Sequence, residues 1–156
     1  TGRLQALLAQ AMEQVGKLDE AMAAYKKAIA LAPENGEYYH NLGYLYYGKG
    51  EVLEAENMYR KALMRNPRQL QVHFNLGGLY LDQEHYQRAS AAYKAALAID
   101  PEYADAWINL AATHLQLGQN EWAIKAYQHA LGLELAAAIR VRVERQLEAL
   151  QASTDP

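Results

Sequence analysis

Three asparagines, Asn41, Asn75 and Asn109, stand at intervals of 34 residues along the chain. A side-chain amide offers two hydrogen-bond donors and an acceptor carbonyl, so it can pair with both groups of a peptide bond whatever side chains the ligand carries. This is chemistry suited to peptide recognition. The alternative is that asparagine at this place orients neighbouring helices, and the two roles are compatible.

Catalytic and metal chemistry has no comparable pattern. The chain has five histidines and no cysteine. Helical metal ligands converge at spacings such as i, i+3 or i, i+4, and none of the histidines has that spacing. A glycine-rich phosphate-binding loop, a cysteine nucleophile and an isolated pair of carboxylates are also missing. We therefore expect no enzymatic activity, no metal and no cofactor.

Composition limits the classes of partner. The chain has 156 residues, 51% of them apolar, which is enough for one domain with a core. Its net charge of -3 and pI near 5.9 favour neither nucleic acid nor an acidic membrane as a partner. We expect no targeting or transmembrane segment, and the absence of an initiator Met suggests a fragment of a larger protein. Localisation stays unknown, with the cytoplasm as the default.

The interval of 34 residues extends well beyond the asparagines. One full copy runs from Tyr39 to Pro67, and prolines recur at Pro33, Pro67 and Pro101. The eight recurring places of that copy hold Tyr39, Leu42, Gly43, Tyr46, Ala55, Tyr59, Ala62 and Pro67. Four copies in register indicate an internal repeat.

This spacing resembles that of the tetratricopeptide repeat, whose unit is a pair of antiparallel helices. Copy one departs from the signature at Gln5 and Met12, and copy three departs at His73. Copy four departs at His114 and Leu135. The resemblance implies an all-α fold, a right-handed α-solenoid of antiparallel helix pairs. We predict a single domain over residues 1–156. Its parts are repeats at about 2–35, 36–69, 70–103 and 104–137, a capping helix at about 136–151 and a frayed tail at 152–156.

Small residues predict where the chain turns and where helices cross closely. Gly43 and Gly77 occupy one place on the first helices, where a missing side chain admits a close partner helix. Gly16, Gly50 and Gly118 are expected to end first helices in the left-handed conformation. Copy three has Glu84 at that place, which predicts either an ordinary β-turn or mild strain.

The last part of the chain predicts a capping helix. Its apolar stripe consists of Leu135, Ile139, Val143, Leu147 and Leu150. A terminal repeat needs a closing helix with a polar outer side. We interpret the arginines there as a solvated face, since glutamates are interspersed with them.

In this family the first helices line the concave side of the superhelix, so the resemblance implies a groove. The predicted groove residues are Glu37, His40, Asn41, Tyr44, Tyr47, Gln71, Phe74, Asn75, Asp105, Ile108 and Asn109. O-GlcNAc transferase arrays are similar here and hold extended peptides by an asparagine ladder. Phe74 and Ile108, with Tyr44 and Tyr47 beside them, are expected to form an apolar patch. The alternative is that several of them pack against the next repeat.

Charge narrows the predicted ligand. Adaptors of this family that bind acidic chaperone tails use lysine and arginine clamps, and the corresponding places here lack every cation. The groove carries Glu37, Asp82 and Asp105 against Arg3, which excludes an acidic tail. The predicted partner is a protein or peptide segment, extended or short helical, neutral to weakly basic, with apolar anchors.

The predicted function is a non-catalytic protein–protein interaction scaffold. One alternative is a self-assembly module that associates through its ends, and another is a substrate-positioning domain of a larger enzyme. The first helix, with Leu4, Leu7 and Leu8, has no cap of its own. Either an upstream segment or a second molecule is expected to cover it.

Overall fold

The computed structural model of the protein describes residues 1–154. Within them it has nine α-helices and no strand, so the predicted all-α class is confirmed. The helices are α1 Gly2–Gln14, α2 Leu18–Leu31, α3 Gly36–Gly48, α4 Val52–Arg65, α5 Leu70–Asp82, α6 Tyr86–Ile99, α7 Ala104–Gln116, α8 Asn120–Gly132 and α9 Ala137–Thr154. They form two compact units, unit 1 (Thr1–Val72) and unit 2 (His73–Pro156), with the boundary inside α5. No described helix combines the length and apolarity needed to cross a membrane.

The second helices end where the prolines predict. Helices α4 and α6 stop immediately before Asn66 and Asp100, each of which precedes a proline. Asn66 Oδ1 accepts a hydrogen bond from the backbone N–H of Arg68 at 3.1 Å, and Asp100 Oδ1 accepts one from Glu102 at 2.9 Å. Because proline cannot continue a helix, these side-chain bonds order the turn instead.

The first helices end at residues with positive φ. Gly16, Gly50 and Gly118 have φ of 76°, 76° and 69°, which confirms the predicted left-handed turns. Glu84 has φ of 60° at the same place in unit 2, so the ordinary-turn alternative is wrong and the strained one is right. An L-residue in this conformation costs about 1–2 kcal/mol.

Four tyrosines, one per repeat, fill the core. Tyr25, Tyr59, Tyr93 and Tyr127 are at most 1% exposed. Fully buried alanines flank them on the second helices: Ala21, Ala28, Ala55, Ala62, Ala89, Ala96, Ala123 and Ala130. Alternating large and small side chains let neighbouring helices pack without voids.

The close helix crossing predicted at Gly43 and Gly77 is confirmed. A Cβ added at Gly43 would lie 2.9 Å from the Tyr59 ring, and one at Gly77 would lie 2.5 Å from the Tyr93 ring. Both separations are shorter than van der Waals contact. The tyrosine rings therefore occupy the volume that a side chain would need.

Helix α9 packs against α7 and α8 through part of its predicted apolar stripe. Val143 is fully buried, and Ile139 and Leu147 pack against the same cluster. The helix continues to Thr154, so residues 152–154, predicted to be frayed, are helical. Residues 155–156 of the predicted tail lie outside the described part of the chain.

Arg140 joins α9 to the end of α8. Its guanidinium donates hydrogen bonds to the carbonyls of Leu131 at 3.1 Å and Leu133 at 3.2 Å. The last carbonyls of a helix lack partners within it, so this contact satisfies them. Arg140 therefore stabilises the junction between α8 and α9, whereas the sequence predicts that the arginines of this helix form a solvated face.

Candidate functional site

The first-helix face of unit 1 contains a depression of about 230 Å³ between α1 and α3. It is lined by Arg3, Ala6, Leu7, Gln10, Asn35, Glu37 and Tyr38. Asn35 Oδ1 accepts a hydrogen bond from the backbone N–H of Glu37 at 3.0 Å, which caps α3 and orients this wall. Of the predicted groove residues, Glu37 lies in this depression with its carboxylate exposed.

The rest of the α3 face is partly apolar. Tyr44 is 57% exposed, whereas His40 and Tyr47 are half-buried. The His40 ring lies 6.1 Å from the Tyr59 ring. Burial lowers the pKa of His40, partly opposed by the Glu37 carboxylate, so this imidazole is neutral at pH 7. Gln71, the remaining predicted groove residue of unit 1, is exposed.

Asn41 has a partner within unit 1. The Tyr25 hydroxyl donates a hydrogen bond to Glu13 Oε2 at 2.7 Å and also lies within hydrogen-bonding reach of the Asn41 amide. Burial and the Glu13 carboxylate raise the pKa of Tyr25, and Asn41 acts in the opposite direction. This contact supports the expected role of Asn41 in orienting neighbouring helices, and its role in peptide binding stays a prediction.

In unit 2, Phe74 is half-buried and held by other aromatic rings. Its ring centroid lies 5.7 Å from that of Tyr93 and 5.1 Å from that of Tyr103 in an edge-on arrangement. These contacts hold the Phe74 ring in place before any ligand binds. A ligand that packs against it therefore costs little further side-chain entropy. Asn75 and Asn109 are half-buried as well.

The expectation that Ile108 is an exposed anchor is wrong. It is 7% exposed and belongs to a buried cluster with Ala111 and Val143. The physical reason is α9, whose apolar stripe covers the place that a following first helix would take in a longer array. Asp105 on the same helix α7 is exposed, as predicted.

A second depression, of about 320 Å³, lies on unit 2 beside the first helices α5 and α7. Its lining includes the predicted groove residue Asp82 together with Leu81 and Ala112. Among the described residues, no group of three or more potential metal ligands is arranged to hold an ion. The apolar patch predicted to combine Tyr44 and Tyr47 with Phe74 draws on both units and stays a prediction.

Sequence reasoning overlooked Trp122. This side chain is 60% exposed on α8 and lines a cavity with Trp107. The corresponding places of the other copies hold charged residues: Glu20, Glu54 and Arg88. A tryptophan at a place otherwise charged was a signal available from the sequence.

Family models match most of the chain. The model described as "TPR repeat" matches residues 13–50 and 77–118, more than half of the sequence. Two models described as "Tetratricopeptide repeat" match residues 36–69 and 104–136. No curated protein sequence matches the chain.

Several solved structures have the same fold. A crystal structure of MamA is 23% identical with a TM-score of 0.84, covering 93% of this chain and 83% of that one. MamA 41-end from Desulfovibrio magneticus RS-1 is 19% identical with a TM-score of 0.80, covering 99% and 97%. PilF of Pseudomonas aeruginosa is 22% identical with a TM-score of 0.77, covering 99% and 77%. At these identities the likeness concerns the fold alone.

Proposed function

Because the chain belongs to the tetratricopeptide repeat family, whose members generally act as protein–protein interaction scaffolds, we propose that it binds a partner polypeptide segment on its first-helix faces. The chain catalyses no reaction in this proposal. Each unit has a first-helix wall of its own that supplies contacts, and specificity comes from the side chains that the wall exposes.

The exposure of Tyr44 carries the proposal. The core tyrosines are at most 1% exposed, whereas Tyr44 presents 57% of its surface on the same helix as Asn41 and His40. A large aromatic side chain held on a rigid helix provides contact area at a low cost in conformational entropy, and such residues often dominate binding energy.

Charge and amide groups define the ligand. Glu37, Asp82 and Asp105 are exposed on the first helices, which favours a neutral or weakly basic segment. Asn109, half-buried on α7, can pair with a peptide bond of the ligand. Each such bond contributes roughly 1 kcal/mol. Phe74 and Tyr44 serve as apolar anchors, and Ile108 does not.

A pair of matched variants tests this proposal. Peptides that bind the chain are selected from a random display library, and their affinities for Tyr44→Ala and Leu53→Ala are measured by fluorescence anisotropy. Leu53 is 75% exposed on the second helix α4, so it controls for loss of exposed apolar surface. We expect Tyr44→Ala to weaken binding at least ~10-fold, equal to about 1.4 kcal/mol, and Leu53→Ala to leave it unchanged. Equal affinities of both variants and the parent chain would refute binding at the first helices.

A second candidate function is self-association through α1. Leu4, Leu7 and Leu8 are 63%, 53% and 44% exposed, and together they give this helix an apolar outer face. In this alternative a second copy covers that face.

Sedimentation velocity over a range of concentrations tests self-association. We expect the mass of the parent chain to rise with concentration, and Leu4→Glu/Leu8→Glu to remain monomeric. Leu53→Glu/Met64→Glu adds the same charge at exposed positions of α4 and should still associate. A parent chain that stays monomeric at every concentration rejects this candidate.

A further inference from the structure

Unit 2 has a cavity of about 500 Å³ away from its first-helix face. Residues of α6, α7 and α8 line it. Its lining includes Leu97, Trp107, His114, Trp122 and His129, so its walls are largely apolar and aromatic. The volume falls within the range of about 300–1,000 Å³ that is usual for ligand sites.

The cavity and the predicted groove use opposite sides of α7. Trp107 and His114 are seven residues apart and therefore share one side of the helix. Asn109 and Ala112 each differ from one of them by two residues, a rotation of about 200°. A ligand in the cavity and a peptide on the first-helix face therefore contact separate surfaces.

Contacts within unit 2 already hold the aromatic side chains of the cavity. Trp107 Nε1 donates a hydrogen bond to the carbonyl of Pro101 at 2.7 Å, and its ring lies 4.2 Å from that of His129. Trp122 stacks on His114 with ring centroids 6.2 Å apart. Rings that are positioned before binding reduce the entropy that a ligand must offset.

His114 is itself anchored. It is 4% exposed, and its Nδ1 lies 2.7 Å from Gln119 Oε1. The support beneath Trp122 is therefore rigid, although Trp122 itself is 60% exposed.

The charge at the cavity is positive, in contrast to the chain as a whole. Lys94 and Lys125 line it, and no carboxylate is among its lining residues. Lys125 Nζ lies 5.0 Å from the centroid of the Trp122 ring, a cation–π contact that holds the ammonium at the rim. With a net charge of -3 for the chain, these two lysines form a local basic site.

We propose that the cavity binds a segment of an acidic partner protein, with one large apolar side chain between the tryptophans and carboxylates beside the two lysines. The apolar walls accept the side chain, and the ammonium groups select the flanking acids. The cavity therefore binds acidic segments, which the acidic first-helix face disfavours.

The tryptophans provide a direct probe of this site. The chain has two tryptophans and both line the cavity, so indole fluorescence and indole N–H resonances report on it alone. The probe is a synthetic peptide with a phenylalanine flanked on each side by two aspartates. One comparison peptide has lysines in place of the aspartates, and another has alanine in place of the phenylalanine. We expect a saturable shift of both indole signals with the acidic phenylalanine peptide, and at least ~10-fold weaker binding of the other two.

Charge-reversal variants complete the test. Lys94→Glu/Lys125→Glu should weaken binding of the acidic peptide at least ~10-fold. Lys27→Glu/Arg68→Glu changes the net charge equally at exposed positions of unit 1 and should not weaken it. Trp122→Ala should abolish the response, with an unchanged circular dichroism spectrum because this side chain is exposed. Equal binding of the acidic and lysine peptides, or unchanged indole signals at millimolar peptide, would overturn the proposal. The Tyr44→Ala experiment is independent of either result when it uses peptides that Lys94→Glu/Lys125→Glu still binds.

Discussion

Helices α1 and α9, the first and last described helices, bury their apolar residues differently. Helix α1 buries Ala6 and Ala9 against unit 1 but leaves Leu4 63% exposed. Helix α9 buries Val143 completely. A first helix inside a repeat array needs one apolar face for the second helix of its own repeat and another for the adjacent repeat. Helix α1 has both faces. Helix α9 packs through one apolar stripe that includes Val143, and its other faces carry charged residues together with Val141, which is 45% exposed. Helix α1 thus leaves three large apolar side chains exposed, Leu4, Leu7 and Leu8, whereas the described part of α9 leaves one, Val141.

The largest expected contrast between these two helices comes from burying a charge. Val143→Asp places a carboxylate in the α9 core, and we expect it to lower the free energy of unfolding by about 3–5 kcal/mol. Leu8→Asp in α1, at a side chain 44% exposed, should lower it by only about 1 kcal/mol, because less of this side chain is buried. Urea unfolding followed by circular dichroism measures both. Equal losses would mean that α1 is covered as completely as α9.

The close helix crossings extend the comparison to the interiors of the two units. Gly77→Ala directs a methyl group to 2.5 Å from the Tyr93 ring, and we expect it to destabilise unit 2 by about 1–3 kcal/mol. Gly43→Ala should cost less, since the corresponding distance is 2.9 Å. Gly48→Ala, with no atom within 4 Å, should stabilise α3 by about 0.5–1 kcal/mol. Thermal unfolding ranks the three variants, and a neutral Gly77→Ala contradicts the packing argument.

The buried tyrosines give a smaller contrast between the units. Tyr25→Phe loses the hydrogen bond to Glu13, and we expect a cost of about 1–2 kcal/mol. Among the described residues no carboxylate accepts a bond from Tyr127, so Tyr127→Phe should cost less than about 1 kcal/mol.

The pH dependence of the unfolding free energy tests whether the neutral Tyr25 hydroxyl causes the stability loss expected for Tyr25→Phe. The pKa of Tyr25 is raised in the folded state. Its contribution to folding stability is therefore fully present below about pH 10, the pKa of tyrosine in the unfolded state, and decreases above that pH. Denaturant unfolding between pH 8 and pH 11 should therefore bring the parent chain and Tyr25→Phe closer together in stability. A difference that stays constant over this range would contradict the assignment.

The smallest expected effect concerns the strained turn. Glu84→Gly should stabilise unit 2 by about 0.5–1 kcal/mol, because glycine adopts a φ of 60° without the Cβ clash. Glu84→Ala removes the carboxylate and keeps the strain, so it should give no such gain. Thermal unfolding distinguishes the two variants. Equal stabilisation by both would assign the effect to charge.

Much of the fold followed from local chemistry. The period of 34 residues, the prolines after the second helices and the glycines after the first predicted where the helices end, and α3 and α4 end two residues before Gly50 and Pro67. Glu84 shows the limit of this reasoning, since its place predicted a turn but not which of two conformations the chain adopts. Sequence neighbours restrict φ only loosely, and strain at one residue persists where the surrounding structure holds it.

The candidate site was less accessible to sequence reasoning. Ile108 and Phe74 occupy equivalent places in consecutive repeats, yet one is buried and the other half-buried. Exposure depends on what lies next to the helix, and α9 lies next to Ile108. Trp122 was overlooked for a related reason. Its side chain is far from Trp107 in the sequence, and only the arrangement of α6, α7 and α8 brings the two to one cavity.

The amino-acid sequence by itself determined the repeat, the helix pairs, the closing helix and the small residues at the crossings, because these depend on spacing and backbone preference over short distances. The tertiary structure alone decided which apolar side chains stay open to a partner, and it joined two tryptophans and two lysines into one basic, aromatic cavity. Burial is a property of the surroundings of a residue, and those surroundings come from helices distant in the sequence.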